Sequence, residues 1–126
     1  MLNTGSIPDE FAEVVEHWSP RVIADLNGQS VKVAKILGEL VWHAHAEEDE
    51  MFLVWKGALT IRYRDRPDVS LREGDFHVVP RGVEHHPLAE AECWILLFEP
   101  SETKHTGETV SERSRSLDEQ RGHLPA

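Results

Sequence analysis

Cysteine is almost absent from the chain: Cys93 stands alone, so no internal disulfide can staple the fold. It adjoins an apolar, strand-like run, where a thiol is expected to be buried and inert rather than catalytic. Long hydrophobic runs are missing too. The longest, around Trp94 to Phe98, is far below the ~20 residues that a membrane-spanning helix needs. Met1 to Glu10 lacks the basic start and apolar stretch of a secretory signal, which points to the cytoplasm. Positive charge is scarce. Thirteen Lys and Arg against 23 Asp and Glu give a net charge of −10, which repels phosphate backbones and anionic lipid surfaces. Nucleic acid and membrane are therefore not expected partners, and a small molecule is.

What remains is ordinary globular material: 126 residues, 40% hydrophobic and 29% charged, enough for one domain with one core. Ile7, Phe11, Val14, Val15 and Trp18 recur at helical spacing among Asp9, Glu10, Glu13 and Glu16, which predicts an amphipathic helix over 7–18. Pro8 suits its first turn, and Ser19-Pro20 ends it. From Arg21 the period changes to two, with turn signals every eight to twelve residues, the pattern of an all-β sandwich or barrel. Asn27-Gly28 predicts a hairpin joining strands at 21–26 and 30–37. Further strands are expected at 39–45, 50–56, 58–64, 69–72, 75–80 and 93–98. The chain thus divides into an N-terminal helical segment (1–20), a β-barrel domain (21–100) and a polar tail (101–126). The tail is poor in apolar residues, so it should lie over the barrel or a partner subunit as far as Val110, with a weak helix signal at Leu117 to Arg121.

Two histidines, His43 and His45, flank Ala44 on an expected strand, where alternation points them the same way. Glu50 follows a short acidic stretch, and His85 lies beyond a Pro-Arg-Gly turn. Three imidazoles and a carboxylate form a donor set for first-row divalent ions such as Mn, Fe, Ni or Zn. An H-x-H pair alone could equally be two solvated histidines on a surface strand. Spacing adds more. His43-Ala-His45, four residues, Glu50, six residues, Gly57 resembles the first motif of the cupin superfamily, and Gly74, five residues, Pro80-Arg-Gly82, two residues, His85 resembles the second. The likeness spans roughly residues 30–100, and a resemblance to the short single-domain cupins often called mannose-6-phosphate-isomerase-like reaches into the segment Glu99-Pro100 to Thr106-Gly107. It implies an all-β double-stranded β-helix, the jelly-roll cupin barrel, here with a short N-terminal helix. It also implies that His43, His45, Glu50 and His85 hold one divalent transition metal.

The chain departs from the family pattern in places. Four residues, not five, separate Gly38 from His43, and Ala89 stands where the pattern has Asn. Glu47, Glu48 and Asp49 offer other carboxylates, but spacing prefers Glu50. His86 should face away from His85, as a supporting or rim residue, while His77 could line the pocket or face solvent. Trp42, Phe52, Trp55, Phe76 and Trp94 are expected in the core, with Phe52 nearest the ion because it shares the face of Glu50. Arg81 could greet an anionic substrate. Four protein ligands leave open positions on an octahedral ion, which suits a dioxygenase or a sugar or keto-acid isomerase acting on a small oxygenated molecule. The competing reading is a non-catalytic module that binds or senses a small ligand. Exposed strand edges and the apolar face of a helix carrying Trp18 predict a homodimer.

Overall fold

Asn27 and Gly28 take φ of 51° and 76°, as a tight two-residue hairpin loop requires, and they join β1 (Arg21–Leu26) to β2 (Gln29–Glu39). The computed structural model describes residues 3–107, 109, 111 and 114–124; Val110, the expected limit of the packed tail, lies outside them. β3 (Glu50–Lys56), β4 (Ala58–Tyr63), β5 (Val69–Arg72) and β6 (Phe76–Val79) follow at short turns. Gly57, between β3 and β4, has φ +91°, and a Cβ there would meet the Glu92 carbonyl oxygen at 2.9 Å. Only glycine fits that crossing.

The architecture is an antiparallel jelly-roll barrel, and β7 (His85–Pro100) is its spine. Its first half pairs with β4, from Tyr63↔His85 to Thr60↔Leu88, while its second half pairs with β2 on one side and β3 on the other. The strand order β1-β2-β7-β3-β6 forms one layer, and β4 and β5 continue from the spine to form the other. Cys93 is fully buried at this crossing, and burial pushes its thiol up to about 12, which fits the inert role expected of it. The strand expected at 93–98 is thus much longer. Pro87 and the polar stretch Glu90 to Glu92 hide its first half from a periodicity reading, although Pro87 still pairs opposite Ile61.

The large layer is apolar on both faces. Ile36, Phe52, Val54, Ile95 and Leu97 point into the barrel, whereas Val33 and Leu96 point outward beneath α1 (Ile7–Ala12), where Phe11 stacks on Trp94 with ring centroids 5.0 Å apart. The helix is shorter than its periodicity suggests. Beyond Ala12, tertiary contacts capture the chain: Trp18 adopts φ +59°, its backbone N–H donates to Lys35 O at 3.0 Å, and its indole Nε1 donates to Leu37 O at 2.8 Å. Trp18 therefore packs into the barrel core instead of extending a helical face, and Val15 is left 90% exposed.

Two other expectations are corrected. Residues 39–45 form no continuous strand: β2 ends at Glu39, and His43 makes one isolated bridge with His85. Phe76 and Trp55 are not core residues, being 65% and 41% exposed; Phe76 lies on β6, which has no further strand beside it among the described residues. Past the barrel, α2 (Leu117–Arg121) forms where the weak signal placed it. Ser116 and Glu119 make a reciprocal capping box, each accepting the other's backbone N–H at 3.0 Å. The helix lies along β1: Arg121 grips Asp25 with two bonds of 3.0 and 2.5 Å, and the His123 ring meets Val22 O at 2.6 Å. No helix among the described residues is long and apolar enough to cross a membrane.

Candidate metal centre

The bridge between His43 and His85 is a reciprocal backbone pair, His43 N–H to His85 O at 3.1 Å and His85 N–H to His43 O at 2.9 Å. It sets the two imidazoles side by side with centroids 4.3 Å apart. Each ring is aimed by its own chain. His43 Nδ1 lies 2.9 Å from Val41 O and His85 Nδ1 lies 3.0 Å from Val83 O. A carbonyl can only accept, so Nδ1 carries the proton in both, and the Nε2 lone pairs are left for another partner.

Those lone pairs meet two further donors. His45 Nε2 and His85 Nε2 lie 3.5 and 3.6 Å from Glu50 Oε1. One donor atom from each of His43, His45, Glu50 and His85 falls within 4.8 Å of all the others, and all four residues are buried. Donors about 2.0–2.3 Å from a common first-row ion stand roughly 3–4.6 Å apart, so the set is the right size to surround one. Hydrogen bonding points the same way: His45 Nδ1 and Nε2, Glu50 Oε1 and His85 Nε2 are buried without a hydrogen-bond partner. Polar atoms left unpaired in an apolar interior are costly unless something binds them. The cluster could therefore hold a metal ion.

Electrostatics prepares the donors for that role. Burial, with help from neighbouring His85, holds the His43 imidazole neutral by lowering its pKa to about 3. For Glu50, burial opposes ionisation. The Glu99 carboxyl beside it and the adjoining His45 and His85 rings outweigh that cost, and the Glu50 carboxyl is held well below its ordinary value. Glu99 is raised instead, by burial and by the Glu50 charge beside it, so it is the member of the pair that keeps the proton. Behind Glu99 sits Lys32, with Nζ 2.7 Å from Glu99 Oε1 and 2.5 Å from Gln120 Oε1 of α2.

The other residues singled out in the sequence have different tasks. Glu47, Glu48 and Asp49 stay out of the cluster. Asp49 anchors the facing loop by accepting the Arg81 N–H at 2.8 Å, with the Arg81 guanidinium about it at 3.4–3.5 Å. Arg81 is thus engaged with Asp49 at the surface. His86 does face away from His85, buried against Trp42 at 4.9 Å and 3.3 Å from Glu39. His77 is paired with the Tyr63 hydroxyl at 2.7 Å. Phe52 lies beside the cluster, in the wall of a cavity that also touches His43 and Glu50.

Sequence reading missed Lys32, Glu99, His105 and Gln120. The first two did carry a signal: Lys32 shares the inward phase of Ala34 and Ile36, and Glu99 that of Ile95 and Leu97, so each is a charge at a core position. His105 and Gln120 belong to the tail, whose path no periodicity records.

Comparison with known proteins agrees with the geometry. The profile of the family described as "Cupin domain" matches residues 31–98. The Bacillus subtilis (strain 168) protein YdbB, itself uncharacterised, is 33% identical over 85 residues, 68% of this chain and 73% of that one. Among solved structures, a cupin-2 domain containing protein from Shewanella frigidimarina is 45% identical with a TM-score of 0.74, covering 77% of this chain and 94% of that chain. The protein NMB1881 from Neisseria meningitidis is 28% identical with a TM-score of 0.72, covering 78% and 99%. A profile match over more than half the chain, joined to the motif residues just described, makes this chain a member of the cupin family.

Proposed function

We propose that His43, His45, Glu50 and His85 hold one divalent first-row transition ion, Mn, Fe, Ni or Zn, and that the protein is a metal-dependent enzyme of the dioxygenase or sugar/keto-acid isomerase type. Its substrate would be a small oxygenated molecule. The observation that carries the reading is the convergence of four buried donor groups, among which His45, Glu50 and His85 present facing atoms with no hydrogen-bond partner. Such an ion would supply a Lewis-acid centre with open positions for a chelating substrate. The chain's own contribution is orientation. Val41 and Val83 carbonyls fix the imidazole tautomers, and the Glu99 carboxyl, held by Lys32, fixes Glu50 as the ionised partner. Trp18, Leu40 and Phe52 line the space beside the cluster with apolar surface. The reading includes a homodimer and a cytoplasmic location, the latter suiting a lone buried cysteine.

A second reading is a non-catalytic module that senses or stores a small ligand. It is favoured by the size of the cavity beside the cluster, about 20 Å³, which admits a water or a very small ligand but no sugar. Metal analysis of protein purified without added metal, followed by oxygen-uptake and isomerase screens against small acids and sugars, separates the two. Retained metal with turnover supports the enzyme, and retained metal without it supports the binding module. No retained metal, and none taken up on reconstitution, rejects both metal-based readings.

A further inference from the structure

After β7 the chain does not leave the barrel. Thr103 is fully buried, with its hydroxyl donating to Pro100 O at 2.7 Å, and Thr106 is buried next to it. Gly107, with φ +58°, presses against the backbone between the two neighbouring histidines: a Cβ there would stand 2.1 Å from Ala44 O. Between these fixed points lies His105. Its ring reaches the cavity beside the cluster, sharing the walls with His43 and Glu50, and its Nδ1 is buried with no hydrogen-bond partner. It stands outside the four-residue donor set. The rest of the cavity is apolar, with Trp18, Ile36, Leu40 and Phe52 among its walls. Apart from the cluster itself, His105 is thus the polar side chain available to a molecule in this space.

We propose that His105 is a further ligand-contacting residue of the pocket, donating or accepting a hydrogen bond to a small molecule held at the cluster. The inference rests on the metal reading above and extends it to the ligand's chemistry: a metal-binding oxygen or nitrogen at one end, a polar atom towards His105, and an apolar remainder. Burial lowers the His105 pKa to about 4, so at neutral pH the ring is uncharged and serves as a hydrogen-bonding group. The same ring borders a second, open cleft formed by tail residues that include Thr106, Ser114 and Arg115. It therefore stands between the small inner cavity and the open cleft, within reach of a molecule held in either.

The test uses the full-length protein loaded with Co(II), with azide as a probe small enough for the closed cavity. Azide affinity is read from the visible absorption of the cobalt in the wild type, His105→Ala and His105→Gln. All three should retain one cobalt per chain, because His105 is not in the donor set. Losing a hydrogen bond to a charged group should weaken azide binding roughly tenfold in His105→Ala. Glutamine keeps an N–H and should recover at least part of that loss; it also carries the test if the alanine variant fails to fold. Equal affinity in all three overturns the proposal. So does tighter binding in His105→Ala, which would make the ring a plug, or a loss that glutamine does not recover at all, which would make it packing. A wild type that takes up no cobalt instead rejects the metal reading, and this inference with it.

Discussion

Lys32 Nζ lies 2.7 Å from Glu99 Oε1, with the two side chains 1% and 2% exposed. A cation this deep in a barrel is tolerated only with its partners in place, and these lead one way to Glu50 and the other way to Gln120 of α2. One buried charge thereby ties the tail helix to the carboxylate of the candidate metal centre.

Removing that charge alone should leave Glu99 beside Glu50 without its cation. Lys32→Met is expected to destabilise the protein by about 3 kcal/mol in urea unfolding, whereas Glu99→Gln alone, which matches the shape of a protonated carboxyl, should cost less than about 1 kcal/mol. A Lys32→Met variant as stable as the wild type would show that the pair holds nothing together.

His43→Ala and His85→Ala each remove an imidazole aimed by a backbone carbonyl. Metal content should fall from one ion per chain to a small fraction, while far-UV circular dichroism keeps its β signature, since the barrel core of Ile36, Val54, Ile95 and Leu97 is untouched. His86→Ala is the control. Its ring lies against Trp42 and Glu39, so metal content should not change.

The legible part of this molecule was whatever obeys a short-range rule. Asn27-Gly28 announced its hairpin, alternation located most strands, and motif spacing gathered four donors separated by up to 42 positions, from 43 to 85. The illegible part depends on tertiary capture. Nothing local reveals that Trp18 leaves its helical period to hydrogen-bond Leu37 O, or that His105 and Gln120 are carried back to the barrel by a polar tail. Lys32 and Glu99 fall between: their phase in β2 and β7 marks them as inward, yet only the packed barrel shows that they answer one another.

Phe76 and Val78 lie on the outward face of edge strand β6, 65% and 44% exposed. An open edge beside exposed apolar side chains invites pairing with a second copy. Sedimentation at micromolar concentration should give a dimer of the 14.3 kDa chain, and Phe76→Glu should shift it towards monomer. A wild-type monomer under these conditions removes the homodimer from the proposal.

Acid should act on the fold through the candidate metal centre. In the folded chain without metal, His43 has its pKa lowered from 6.5 to about 3, so between these values the unfolded chain binds more protons than the folded one. Stability must therefore rise with pH across that window and be lost as pH falls below 6.5; His43 alone accounts for about 2 kcal/mol by pH 5. A bound ion deepens the effect, because protons must displace it from neutral imidazoles, and an ion held only by the folded state stabilises it by mass action. Melting curves from pH 8 to pH 5 should show both samples losing stability, with the metal-loaded protein losing more than one kept in chelator. If the two fall in parallel, the three histidines and Glu50 bind no ion that matters to folding, and the unpaired Nε2 atoms need another explanation.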